Sequence, residues 1–273
     1  MFQQVKPRSN LHAAASILTL IYHATVRDVR KGHGNAIIAI ALNILQALVF
    51  VAAFFVMFSI LGLRGAALRG DFLLYVMSGI FLFLTHVKTL GAVVGAEGPT
   101  SPMMQHAPMN TIIAITSAAL GALYVQVFTL VIVLFVYYVG FTQFEIYRPF
   151  AAFGMFLTAW FVGVAIGLVL LSIKPWFPTF TNTFTTVYQR ANMIASGKMF
   201  VANALPNYML VMFDWNPLFH CIDQSRGYVF INYSPHNSSP SYPLIVAGVL
   251  FMIGMLGEFY TRRHSSRSWS ARR

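Results

Sequence analysis

From Ala36 to Leu63 the chain reads AIIAIALNILQALVFVAAFFVMFSILGL, without one charged residue. About 18 or more apolar residues in a row can cross the roughly 30 Å hydrocarbon core of a bilayer as a helix. The stretch lacks the alternation of a barrel strand, so a helix is favoured. Comparable stretches lie at 72–94, 110–139, 150–173 and 242–260, which makes five strong spans. Composition agrees. Hydrophobic residues make up 58% of the chain and charged residues 9%, with mean hydropathy +0.68; a soluble domain carries about 25% charged residues. The expectation is an all-α integral membrane protein.

The net charge of +11 is loaded onto the two ends of the chain. Lys6, Arg8, Arg27, Arg30 and Lys31 lie at one end, and Arg262, Arg263, Arg267, Arg272 and Arg273 at the other. Such clusters suit nucleic acid in a soluble protein, but beside membrane spans they follow the positive-inside rule. Both termini are therefore expected in the cytoplasm, which requires an even number of crossings. Five is odd, so a sixth is needed. The long candidate is 179–200, TFTNTFTTVYQRANMIASGKMF, entered through Pro175 and Pro178. The resulting plan is one transmembrane domain over 1–273 with spans at 36–63, 72–94, 110–139, 150–173, 179–200 and 242–260.

The segment 10–31 has Asn10 as a plausible N-cap, but its apolar part, Ala13 to Tyr22, is too short to span. A signal peptide also sets basic residues before an apolar core. No A-x-A-like site follows here, and Arg27, Arg30 and Lys31 come next. An interfacial helix on the cytoplasmic leaflet is the better reading.

The sixth span is unusually polar. Thr181, Thr185, Tyr188 and Asn192 recur at helical spacing, and Arg190 and Lys198 add charge. Charged residues in a span turn from lipid toward partner helices, water or the membrane surface. Thr and Asn alone can serve as hydrogen-bonding glue between helices, so a pathway lining and a packing role are both open. Lys198 sits near the outer end, where it can snorkel.

Between 200 and 242 lie apolar pieces such as YMLVMF, too short to cross and too apolar for a solvated loop. They suit re-entrant or interfacial helices at the outer rim, over 203–230. Asn216 reads as an N-cap with Pro217 at the first helical position. Asp223 and Arg226 are spaced to pair along that helix. Between spans two and three, Pro99, Pro102 and Pro108 make the loop rigid, and Met103 and Met104 offer an adaptable apolar contact. That loop is either a connecting turn or a docking element for a soluble partner.

No enzyme site is legible. ASGKMF contains a Gly-Lys pair, but Asn192 stands at the first glycine position of a Walker A motif and Met199 replaces its Ser/Thr. The eight histidines show no metal-ligand spacing, and His86 and Lys88 fall near the inner end of span two. The lone cysteine, Cys221, excludes an intramolecular disulfide. Asn232 and Asn237 match the short glycosylation sequon and carry little weight. Paired carboxylates and an inverted repeat are both missing, which argues against a proton-coupled carrier. No cofactor is expected.

Ser196-Gly197, Leu205-Pro206, the run Trp215, Asn216, Pro217, Leu218, Phe219, His220, then Asp223, Arg226 and Gly227 together resemble the permease subunits of ABC-2 type (type V) exporters. The likeness is nearest to capsular polysaccharide export permeases of the bacterial inner membrane. The motif covers about a quarter of the chain, and the order of helices matches across nearly all of it. The cytoplasmic loop departs from the family, which often has a basic residue near the second proline where this chain reads MMQHAPMN.

The resemblance implies a channel made by two copies of the chain or two related chains. A separate ATPase subunit would dock on Arg27, Arg30, Pro102, Met103 and Met104. A lipid-linked polysaccharide would leave past Thr181, Thr185, Tyr188, Arg190, Asn192 and Lys198, with Trp215, Asn216, Pro217, His220, Asp223 and Arg226 at an outer gate. Periplasmic and outer-membrane export proteins are further implied partners. Export of O-antigen, teichoic acid or a small amphiphile is the alternative within the class. A self-contained carrier or channel, or a membrane scaffold, is the alternative outside it.

Overall fold

The computed structural model describes residues 10–31, 35–60, 71–98 and 111–264. Among them are nine α-helices and no strand: α1 (Asn10–Lys31), α2 (Ala36–Ile60), α3 (Phe72–Val94), α4 (Thr111–Gly140), α5 (Pro149–Ile173), α6 (Pro178–Ala195), α7 (Asn207–Phe213), α8 (Pro217–Val229) and α9 (Ser241–His264). Helices α2, α3, α4, α5 and α9 are each long and apolar enough to cross a membrane. The chain is an all-helical, multi-pass membrane protein. Helix α6 is not among those five. It was expected to run to Phe200 but ends at Ala195, after which residues 196–200 turn away.

Proline and capping side chains set the helix starts. Pro149, Pro178 and Pro217 open α5, α6 and α8, where a missing N–H costs nothing. Asp71 caps α3 by accepting from the Leu73 and Leu74 backbone N–H groups at 2.9 and 3.3 Å. Its second oxygen accepts from the Tyr137 hydroxyl, tying the start of α3 to the end of α4.

Helices α3 and α5 form the core and are buried along most of their length, whereas α2 and α9 are mostly exposed. Small residues let the backbones approach, the usual device where water does not drive helices together. A Cβ on Gly163 would sit 2.7 Å from the His86 carbonyl oxygen, and one on Gly254 2.8 Å from Leu168.

These contacts also set direction. His86 meets Ala159 and Gly163, Val93 meets Gly167, and Gly98 meets Leu171, so α3 and α5 are parallel. Gly254 meets Leu168 and Gly257 meets Ser172, so α9 is parallel to both. All three start at one end of the bundle, the near end, and finish at the far end. Helix α5 ends far and α9 starts near, so the chain must return between them. Helix α6 makes that return. Gln189 lies beside Val87 and Gly91, and Lys198 beside Gly79, numbers that run opposite to those of α3. Its 18 residues rise about 27 Å.

Helix α1 packs on the first half of α4, where Ser117 Oγ donates to Asp28 Oδ2 at 2.9 Å. Ile17, Leu18 and Leu20 stay exposed on it, as an interfacial helix requires. Helix α8 is almost wholly buried and closes the near end: Arg226 reaches α3 at Gly79 and Tyr75, and the Tyr228 and Val229 carbonyls accept from Arg148 and Tyr147 at the start of α5.

Candidate functional site

Helix α6 has two unlike faces. Thr181, Thr185 and Asn192 are buried against the bundle, and Tyr188 and Gln189 are half-buried beside them. Asn182, Thr183, Thr186 and Arg190 are exposed. The six residues read as a pathway therefore do not share one surface. Thr181 donates to the Phe177 carbonyl at 3.0 Å and Thr185 to that of Thr181 at 2.7 Å. Their polarity is satisfied inside the helix, which is how a membrane helix buries threonine. Tyr188 Oη lies 3.1 Å from His86 Nε2, and His86 Nδ1 lies 3.3 Å from the Ala159 carbonyl. His86, read as lying near a helix end, is fully buried between α3, α5 and α6.

The exposed face of α6 carries two parallel rows. Asn182, Thr186 and Arg190 follow one another at i, i+4 spacing and form a polar row. Phe180 stacks on Phe184 at 5.9 Å and Phe184 on Tyr188 at 6.4 Å, forming an aromatic row beside it. Arg190 has no hydrogen bond or ion pair to any described residue and does not reach Asp223.

Lys198 lies on neither row. It is buried beneath α8, with Nζ 3.4 Å from the Phe83 ring centroid, 4.9 Å from Phe54 and 5.4 Å from Phe50. It was expected to snorkel at a helix end. Instead the chain turns at Gly197 and directs the side chain inward. The ammonium has no hydrogen-bond partner among the described residues, and three aromatic faces supply attraction.

The residues read as an outer gate are drawn together as a structural knot. Arg226 donates to the carbonyls of Gly197, Phe200 and Lys198 at 2.9, 2.6 and 2.8 Å, and its guanidinium lies 4.2 Å from the Tyr75 ring centroid. It does not pair with Asp223. That carboxylate accepts instead from Tyr233 and, at 2.6 Å, from Ser238. The expected pairing fails because α8 is buried on both sides, and each charge finds a nearer partner off the helix. Burial and the Asp223 charge push the Tyr233 phenol well above its ordinary pKa.

Gly197 adopts φ +75°, and a Cβ there would lie 2.7 Å from the Phe219 ring. Asn216 caps α8 through Leu218 N at 3.0 Å and also donates to Asn192 Oδ1 and the Ala195 carbonyl, both at 2.9 Å. His220 holds the Asp214 carbonyl and the Ser239 N–H. Trp215 alone of the gate set stands exposed, while Pro217 is buried.

Of the docking residues, Arg27 is half-buried and 3.8 Å from Asp28, and Arg30 is exposed on α1. Pro102, Met103 and Met104 lie outside the described residues. Tyr233, Ser238 and the aromatic cage of Lys198 carried no sequence signal, because they meet only through the fold. Among the described residues no His, Cys, Asp or Glu group could hold a metal. No protein-family model and no curated protein matches the chain.

Proposed function

We propose that the chain is a membrane subunit of an ATP-driven exporter that moves a lipid-linked cell-surface polysaccharide outward, capsular polysaccharide being the first candidate. In this reading it crosses the bacterial inner membrane six times, with α6 as the fifth crossing. Two copies, or two related chains, enclose the passage. A separate ATPase subunit at the far end supplies the energy, because the chain has no nucleotide-binding motif.

The observation that carries this reading is the exposed face of α6. Side chains that can hydrogen-bond hydroxyls (Asn182, Thr186, Arg190) run beside the exposed stacked rings of Phe180 and Phe184. A polysaccharide offers the matching chemistry: hydroxyls at the ring edge and apolar C–H faces. Such a face is a poor one for lipid, so a second subunit or water is the expected neighbour. The basic residues Arg262 and Arg263 end α9 at the far end, and the positive-inside rule supports a cytoplasmic far end in this reading. The re-entrant pair expected over 203–230 corresponds to α7 and α8.

The test is purification of the full chain from its host in mild detergent. An exporter subunit brings down an ATPase, and the assembly holds two copies of a 30.4 kDa chain or one copy beside a related chain. A carrier or scaffold purifies without an ATPase, and that result would sink the proposal.

A further inference from the structure

A cavity of about 400 Å³ lies at the far end between α1, α2, α3 and α4, within the size range of small-molecule sites. Its walls are mostly alanine and glycine, so the helices do not fill the space themselves. Polar groups converge on it: Lys88 from α3, Gln126 from α4, Asn43 from α2, and the Arg27–Asp28 pair from α1. Gln126 is 3% exposed, yet its amide has no hydrogen-bond partner among the described residues. Lys88 is half-buried and likewise without a partner among them. Asp28 is already engaged by Ser117 at 2.9 Å. Glu97 also lines the cavity and, like Arg27 and Asp28, is already engaged, so Lys88 and the Gln126 amide are what remain open to a ligand.

The surroundings say what fits. Lys88 lies six residues before the end of α3 at Val94, about 9 Å from that end at 1.5 Å per residue, a depth suited to a headgroup. Exposed Ile38 and Leu42 flank the cavity residues Ala39 and Asn43 on α2, so an apolar surface for an acyl chain begins at the cavity wall. Pockets between membrane helices that offer an open cation near the membrane surface take phospholipid headgroups. We propose that this cavity seats the headgroup of one bilayer phospholipid, with the phosphate on Lys88 and the Gln126 amide, deeper along α4, donating to an ester carbonyl of the same lipid. The lipid then cements α1 to the bundle. The inference needs only a multi-pass membrane protein, so it stands or falls apart from export.

Native mass spectrometry of the delipidated full chain tests it, from cells that make no surface polysaccharide. The probes are dioleoylphosphatidylglycerol, dioleoylphosphatidylethanolamine and inorganic phosphate. The wild type should hold one phospholipid per chain after detergent removal. Lys88→Gln and Gln126→Leu should each lower that occupancy at least five-fold, and Arg148→Gln, at the other end, should not. Ala122→Leu keeps every polar group but narrows the cavity, so it should also lower occupancy; it decides the matter where Lys88→Gln yields no folded protein. Unchanged lipid occupancy in Ala122→Leu would overturn the proposal. So would inorganic phosphate bound as tightly as either lipid.

Discussion

Arg226 sets its charge against three backbone carbonyls and a tyrosine ring rather than against a carboxylate. Removing it strands those carbonyls beneath α8, and hydrogen bonds to a charged group contribute about 1.5–3 kcal/mol each. Arg226→Gln should therefore cost ~3 kcal/mol or more and lower the thermal midpoint in detergent. Arg226→Lys should fall between, since the donors of an ammonium radiate from one nitrogen and lack the planar fork that reaches these three carbonyls from two. A midpoint for Arg226→Gln equal to wild type would show that the knot does not hold the cap.

Gly197 tests the same knot from the backbone. A left-handed turn costs an L-residue about 1–2 kcal/mol, and the added Cβ collides with Phe219. Gly197→Ala should thus destabilise well beyond Gly248→Ala, whose Cβ meets nothing within 4 Å. Some of this was legible in the chain: Asn216 before Pro217 signals a helix start by local chemistry alone. The partners of Asp223 and Arg226 were not, because helical spacing ranks only neighbours on the same helix.

Helix α6 shows the same limit one scale up. Its periodicity places Thr181, Thr185 and Asn192 together, and they do share a face. Polarity left a passage and a packing role both open, and the family resemblance implied the passage. It packs against the bundle instead, because a threonine hydroxyl can satisfy itself on its own helix and be buried at little cost. The exposed rows, Asn182–Thr186–Arg190 and Phe180–Phe184, became distinguishable only once the neighbours of α6 were known. Thr185→Val should accordingly leave membrane abundance and export nearly unchanged, since its partner is the Thr181 carbonyl. Arg190→Gln should leave abundance unchanged but lower surface polysaccharide several-fold, with Arg190→Lys retaining more. Surface polysaccharide and membrane abundance measured on the same cells separate these outcomes. Lost abundance in Arg190→Gln would mean the arginine is structural.

Across the whole molecule, parity and packing argue independently for the same path. Under the proposed topology, with both basic ends on one side, five apolar spans call for one more crossing. The parallel alignment of α5 and α9 requires the chain to return from far end to near end between them, and α6 is the segment that does so. Apolarity does not single out α6, because Thr181, Thr185 and Asn192 face the bundle and Asn182, Thr186 and Arg190 add polarity outside it. Three single cysteines test this in a Cys221→Ala background. Cys221 itself is fully buried, and burial pushes its thiol pKa up, so it should react little even where it remains. Thr179 and His264 are exposed at the far end, and Ser234 is exposed in the loop that follows α8 at the near end. In intact cells an impermeant maleimide should label Ser234→Cys at once. Thr179→Cys and His264→Cys should label only after the membrane is opened. If Thr179→Cys labels together with Ser234→Cys, α6 does not cross and the chain has five spans. If all three respond in reverse, the basic end faces outward and an ATPase docked there would lie on the wrong side of the membrane.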